Sequence, residues 1–394
     1  MDRRLVVLAT GMFAIGTDSF VIAGILPEVS ESLGVSIAVA GQMVTVYALS
    51  FALLSPVIAA AAAHWPRKRL LLAGMAVFVL GNLITAIAPS IGWVLASRFI
   101  AGLGAAMFSP TATATGASLV APERRARALA IVIAGLSAAT ALGSPIGTFI
   151  GGLGDWRTTM WFVTAVGLIA GAGVYMFLPT IPPLPAVSLR ERLVPLRDSR
   201  IALTLVTTLV AYSGFFAVYT YVGATFDQAT GGQPDVLAAL LLLWGIAATA
   251  GNFAAGYITD RFGSRLAING SLAAAAINFA LLPWTTAHLW SSALALVVWG
   301  VCGWGLLVPQ QHRLISLAPG SASLLLGLNS AALYVGVSAS GVIGAAGITL
   351  LDRYQLGLIG AAFIALALVI AQITYRQISR VAANDIRLAE SVAN

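Results

Sequence analysis

The chain has 394 residues, of which 59% are hydrophobic and only 9% charged, with a formal net charge of +7. Ordinary soluble domains are about a quarter charged, and a mean hydropathy of +0.94 leaves too few polar groups to cover a globular surface in water. These values exclude a soluble enzyme and point to a protein that lives in a bilayer.

Crossing roughly 30 Å of hydrocarbon takes about 20 apolar residues. Runs of that kind fall at 5–26, 38–62, 70–88, 91–115, 127–152 and 159–178, then at 201–224, 236–258, 266–284, 290–310, 323–349 and 355–375. The first, MDRRLVVLATGMFAIGTDSF, opens like a secretory signal. Its apolar stretch runs on without a small-residue cleavage site, so it reads as a retained helix. Cys302 stands alone in the tenth span, which excludes an internal disulfide and a cysteine cluster for a metal. Neither a metal nor a cofactor is expected.

Between the sixth and seventh spans lies PTIPPLPAVSLRERLVPLRDSR, residues 179–200, rich in Pro and Arg. It divides the chain into a first six-span unit, 1–178, and a second, 201–394, which ends in a short tail. With the N-terminus in the cytoplasm, all of the 21 Lys and Arg except Arg98, Arg157 and Arg353 fall on the inner side, Arg313 being read as a loop residue. The positive-inside rule is therefore obeyed at every turn, and both termini are expected in the cytoplasm. Attraction to the anionic inner leaflet accounts for the basic balance. The charge is spread over short segments with no aromatic-interleaved patch, so nucleic acid is not an expected partner.

Residues 256–265, GYITDRFGSR, crowd an Asp, two Arg and two Gly into a loop of an otherwise apolar chain. Moving back half the chain length lands on AAAAAHWPRK, 59–68, likewise after a second span, and the same shift carries SPIGTFIGG (144–152) onto GVIGAAGIT (341–349). A shared offset at a shared topological position indicates an internal repeat, the construction of two bundles rocking about a central site.

These residues resemble the major facilitator superfamily, and within it the twelve-span drug:proton antiporters of the arabinose-efflux-like, purine-nucleoside-efflux-like and chloramphenicol-resistance-like branch. The resemblance rests on GTDSFVIAGILPEVSESLGVS, LASRFIAGLGAAM, GSPIGTFIGGLGDWRTTMW, GYITDRFGSR and PQQHRLISLAP. It implies an all-α integral membrane fold of twelve transmembrane helices in two pseudo-symmetric six-helix bundles, in an inner membrane, working as a monomer. It also implies that spans one, four, seven and ten line the central cavity.

The resemblance places a cytoplasmic signature after the second span of each half. It is intact in the second half, as Asp260, Arg261, Gly263 and Arg265. In the first half Ala63, His64 and Pro66 replace the acid, base and glycine, leaving Arg67, Lys68 and Arg69. Charge and helix-end contacts of Asp260 are expected to latch the inner side and break when the bundles rock. Arg67 to Arg69 either share in that latch or only fix topology.

Asp18 and Arg98 are the ionisable side chains deep within the expected spans. A mid-membrane charge costs on the order of 2.5–3.5 kcal/mol even on lenient scales, so it usually faces a cavity and works. Counted along their helices, both lie roughly 11 to 12 Å below the outer surface, and the implied cavity puts them on facing walls. Asp18 is the expected proton carrier, with Arg98 lowering its pKa when near; a permanent structural ion pair with Arg98, or an Asp kept neutral, is the other reading. Glu28, just past Pro27, reads as a solvated loop charge.

In span five, Gly135, Ala139, Gly143, Gly147 and Gly151 recur every four residues, a ridge for close helix approach. Pro145 invites a bend there. Gly336, Ser340 and Gly344 echo the ridge in span eleven. The resemblance implies that span five meets a helix of the other bundle. For the substrate cavity, the polar or aromatic candidates are Gln42, Tyr212, Phe216, Tyr219, Trp299 and Asn329, which suit an uncharged or weakly cationic, partly apolar molecule. Trp65, Trp93, Trp156, Trp284 and Trp290 are expected in the interfacial belt.

No HExxH, GxSxG or phosphate-cradling loop is present. The expected activity is proton-coupled export of a small hydrophobic compound or metabolite by alternating access. A sugar or purine-nucleoside efflux carrier is the nearer alternative, and a non-transporting membrane receptor or scaffold the more distant one.

Overall fold

The computed structural model describes residues 2–183, 191 and 193–393, with only the backbone for 122, 126, 323 and 381–393. Residues 184–190 and 192 of the expected linker, with Arg190 and Arg192, lie outside the described residues. Twelve long helices carry the fold. The first six are α1 (Arg3–Ser32), α2 (Gln42–Ala61), α3 (Arg67–Ile87), α4 (Ile91–Ser118), α5, which starts as Arg125–Ala138, and α6 (Trp156–Phe177). The second six are α7 (Ser199–Tyr219), α8 and α9, which share Pro234–Thr285, α10 (Leu289–Gly305, extended by Leu307–Leu317), α11 (Ala322–Leu350) and α12 (Leu356–Ala393).

Breaks in these helices have local causes. Gly263 adopts φ 82°, ψ 158°, a backbone region that is nearly glycine's alone, and so separates α8 (234–262) from α9 (264–285) at the charged loop. In α5 the chain widens into a π-turn over Ala139–Gly143 and resumes as Ser144–Gly152. Pro145 lies just beyond; it has no N–H to offer the carbonyl one turn back, and a π-turn relieves that misfit. Asp2, Asp155 and Asp198 accept the N–H of Arg4, Arg157 and Arg200 and so cap α1, α6 and α7.

Helices α1–α6 pack chiefly on one another, as do α7–α12, and the two halves meet where α2 lies on α11, α5 on α8 and α1 on the short turn Val222–Thr225. The basic loops gather at one end of the molecule, here called the basic end; the other end carries Arg157 and Arg353.

Several details differ from the sequence expectation. Helix α1 runs on through Pro27 to Ser32, so Glu28 is a half-buried helix residue, not a loop charge. Trp156 is buried beneath the Arg157 guanidinium, 4.6 Å from its ring, whereas Trp65, Trp93, Trp284 and Trp290 are exposed. Helix α5 meets α8 of the other half as expected, but its small-residue ridge faces α1 within its own half: a Cβ on Gly135 would strike the Ala9 carbonyl, one on Gly143 Thr17 and one on Gly147 Val21, while Gly151 fits between Thr159 and Ile25. The α11 echo likewise faces α7, where Gly336 lies on Leu209 and Gly344 on Tyr221. Small residues at four-residue spacing define a face of a helix but not the neighbour it meets.

Candidate functional site

Four helices of the first half converge on a charged centre. Arg98 Nη1 of α4 donates to Asp18 Oδ1 of α1 at 2.6 Å, with side-chain exposures of 1% and 0%. Asn82 of α3 holds the second carboxylate oxygen, donating from Nδ2 to Asp18 Oδ2 at 3.4 Å, and accepts from Arg98 at the same distance. Tyr47 of α2 lays its ring under the guanidinium, 4.5 Å from the centroid. Amide and π-face add to the charge pairing against the desolvation of both ions, which a buried pair alone often fails to offset, while Arg98 Nε is left without a partner among the described residues.

The pair lies inside the first half and is not on walls open to a cavity. It is nevertheless two residues along α1 from the junction between halves. Ser19 donates to the Ile15 carbonyl at 2.8 Å and bonds the Tyr47 hydroxyl at 3.3 Å. Phe20 follows, and its ring meets Phe216 and Tyr219 of α7 at 6.1 and 6.0 Å and Trp304 of α10 at 5.8 Å. Beside it, Phe51 of α2 stacks on Tyr334 of α11 at 4.0 Å.

Closure continues toward the Arg-poor end through main chain and glycine. Tyr219 of α7 donates its hydroxyl to the Phe20 carbonyl at 3.2 Å and bonds Ser144 of α5 at 3.3 Å. Gly245 of α8 presses on Thr140 and Ala141 of the π-turn, Gly341 of α11 on Thr45 and Gly41, and Gly152 on Pro234. Gln42 donates to Ala38 at 3.0 Å and across the junction to Gly341 at 3.4 Å. At the basic end the side chains of Arg67, Lys68, Arg261 and Arg265 bond or stack within their own half. There a groove of about 520 Å³ opens between α1 and α5, lined by Val6, Ala9, Thr10, Phe13, Arg127 and Ala134 among others.

The signature residues occupy that open end. Asp260 is exposed and makes no bond among the described residues; Arg261 donates to the Tyr257 hydroxyl at 2.7 Å. Arg265 lies over the ring of Tyr375 in α12, 3.7 Å from its centroid. In the first half Arg67 donates to Ser118 and Lys68 to the Tyr175 carbonyl of α6 at 2.8 Å, its amine 5.6 Å from that ring. Each half thus clips its third helix to its sixth through a cation and a tyrosine. Arg69 is exposed.

The cavity candidates are dispersed. Tyr212 donates to the Gly303 carbonyl at 3.0 Å within the second half. Trp299 packs among Trp244, Tyr219 and Phe279. Asn329 accepts from Thr208 at 2.8 Å. Only Phe216 and Tyr219 meet the other half through their rings. Tyr47, Phe20 and Tyr334 were not singled out from the sequence. Their signal, an aromatic ring in a span, is shared by too many residues to select them.

The Major Facilitator Superfamily profile matches residues 8–341. The chain belongs to that superfamily. It is therefore a multi-pass membrane protein and a secondary transporter rather than an enzyme. Similar proteins include the inner membrane transport protein YdhP of Escherichia coli K12, 28% identical over 88% of this chain and 90% of its own. The chloramphenicol resistance protein of Streptomyces lividans is 31% identical over 69% and 71%. In fold the chain is similar to a bacterial homologue of the human lysosomal transporter Spinster in an inward-facing, occupied conformation. That likeness has a TM-score of 0.75 and 16% identity, covering 94% of this chain and 96% of that one.

Proposed function

We propose that the protein is a proton-coupled antiporter that exports a small hydrophobic compound from the cytoplasm across the inner membrane by alternating access. Two bundles, 1–178 and 201–394, rock about the junction, joined by the linker 179–200. The distribution of Lys and Arg supports a cytoplasmic basic end. On that reading, the halves meet at the outer end and part at the inner one, an inward-open state.

The observation that carries the coupling is the Asp18–Arg98 pair with its Asn82 and Tyr47 partners. A carboxylate beside a guanidinium stays ionised, and one moved away from it in the same dry setting takes up a proton. Rocking pulls on Phe20 and Ser19, which adjoin Asp18 on α1, so the pair feels the junction directly. The groove supplies apolar walls and the junction supplies rings, which suits an apolar substrate over a sugar. One proton moving down 100 mV is worth about 2.3 kcal/mol, enough for a gradient of several tens-fold.

The test uses proteoliposomes of known orientation, a pH-sensitive dye inside, and a panel of apolar cations, phenicols, sugars and nucleosides. Proton movement with one class in the wild type, lost in Asp18→Asn, supports the reading. Labelled substrate that exchanges without proton movement makes the protein a facilitator and Asp18 structural.

A further inference from the structure

The sequence counts Arg313 with the loop arginines, yet the structure buries it. The chain continues past Gly305 into the helical extension Leu307–Leu317, which packs along α8 and α9 and against α7 and α11. Arg313 is 4% exposed, forms no ion pair or hydrogen bond among the described residues, and has Nη1 enclosed without a partner.

Polar groups accumulate around this position. Leu314 packs with Ile201 and Leu205 of α7 and Leu325 of α11 as a small apolar layer. One helical turn farther from the basic end, Gln310 stands at the level of Thr208 and Asn329. Gln310 is 0% exposed, and neither its amide nitrogen nor its amide oxygen has a partner. Asn329 gives its oxygen to Thr208 and leaves Nδ2 unbonded. Among Arg313, Gln310 and Asn329, three buried nitrogens that can donate stand without a partner against one amide oxygen, and the unpartnered oxygens on the helices alongside, Thr259 Oγ1, Asn252 Oδ1 and Asn269 Oδ1, carry no charge to balance a guanidinium. Water would satisfy the hydrogen bonds but not the charge. A cation would be repelled by Arg313.

We propose that Arg313, with Gln310 one turn above it, forms a binding site for an oxyanion, a phosphate or carboxylate group. A charged guanidinium buried without a counter-ion is costly, and a charge-assisted, multidentate oxyanion supplies what the site lacks. The group comes either from an anionic lipid headgroup or from a soluble anion. The inference does not rest on the transport reading, since it concerns the packing of the second half alone.

The experiment is thermal unfolding of the purified full chain in neutral detergent. Inorganic phosphate is titrated at constant ionic strength against chloride, and in parallel phosphatidylglycerol against phosphatidylcholine. Wild type is compared with Arg313→Gln, Arg313→Lys, Gln310→Leu and Asp260→Asn. The expected result is saturable stabilisation of the wild type that Arg313→Gln abolishes and Arg313→Lys partly keeps. A response to inorganic phosphate assigns a soluble anion; a response to phosphatidylglycerol alone assigns the headgroup. If Arg313→Gln does not fold, Gln310→Leu decides: an apparent affinity about ten-fold weaker supports the site, as loss of a hydrogen bond to a charged group predicts, and an unchanged one overturns it. The proposal also fails if neither ligand class stabilises the wild type, or if Arg313→Gln responds like the wild type. It fails too if, with no anion response, Arg313→Gln and Asp260→Asn destabilise non-additively, which would make Asp260 the partner.

Discussion

Arg98 reaches across from α4 to Asp18 of α1 at 2.6 Å, and both side chains are sealed from solvent. Removing one partner of such a pair leaves a buried, uncompensated charge, at a cost of about 3–5 kcal/mol, whereas removing both is far milder. Arg98→Gln alone is therefore expected to lower the melting temperature more than the double variant Asp18→Asn/Arg98→Gln. Both are expected to lose proton-linked transport. Thermal unfolding in detergent beside a dye assay in liposomes separates the two effects; equal stability of the single and double variants would mean that Asp18 is neutral in the resting protein.

Close approach of the halves depends on absent side chains. A Cβ on Gly245 would lie 2.5 Å from Ala141 Cα, and one on Gly341 would strike Thr45. Gly341→Val and Gly245→Val should hold the Arg-poor end apart. In a Cys302→Ser background, a cysteine at Gln42 should then label several-fold faster, while one at Ala134 in the basic-end groove labels more slowly. Unchanged labelling at Gln42 would show that the junction yields elsewhere.

The turn between α8 and α9 rests on one backbone conformation. Nothing lies within 4 Å of a Cβ built on Gly263, so an alanine meets no clash and pays only for its φ of 82°. Gly263→Ala should destabilise by about 1–3 kcal/mol. Gly256→Ala, where space is also open and φ is helical, should be neutral or stabilising. Melting temperatures of the two variants provide the comparison.

Asp260, exposed and unbonded at the open end, is proposed to engage only when that end closes. Asp260→Asn should shift the population toward the basic-end-open form by roughly 5- to 30-fold if one charge-assisted contact of about 1–2 kcal/mol is lost. A spin-label distance across the basic end should lengthen on average; an unchanged distribution and an unchanged transport rate would make the acid a topological marker.

At the start of α7, Asp198 accepts from Arg200 Nη2 at 2.7 Å and caps the helix. These Arg200 hydrogen bonds hold its carboxyl below the ordinary carboxylate value. Because the folded pKa is depressed, this stabilisation is present above the unfolded value near 4 and disappears as pH falls through the folded one. Asp198→Ala should cost about 1 kcal/mol at neutral pH through loss of the cap. The gap from wild type should narrow in acid, as read from melting curves at pH 7 and below 4.

Hydropathy made the twelve spans legible because hydrocarbon demands length and apolarity of each one, and even the α8–α9 turn announced itself as Asp, Arg and Gly in an apolar chain. Asp18 and Arg98 were legible for the same reason, being costly where they stand. Asn82 and Tyr47 were not, since an amide or a phenol in a span has many harmless uses and only the packing of four helices joins them to the pair. Arg313 misled because a charge near a span end looks solvated, and nothing local tells that the helix bends at Leu306 and carries on inside the bundle. The glycine ridge of α5 was visible as a face, but its neighbour is chosen by the shapes of α1 and α8 together.

The junction at the Arg-poor end is made largely by glycines, carbonyls and stiff rings, and Gln42 is the long flexible side chain that hydrogen-bonds across it. Making and breaking it freezes and frees few torsions. A seal of long lysines and glutamates would lose on the order of 1–2 kcal/mol of rotamer freedom per side chain at every closure. This surface can instead be remade in each cycle with little entropic penalty, which keeps the two end states near one another in energy and lets a driving force as small as a single ion's drop in potential turn the cycle over.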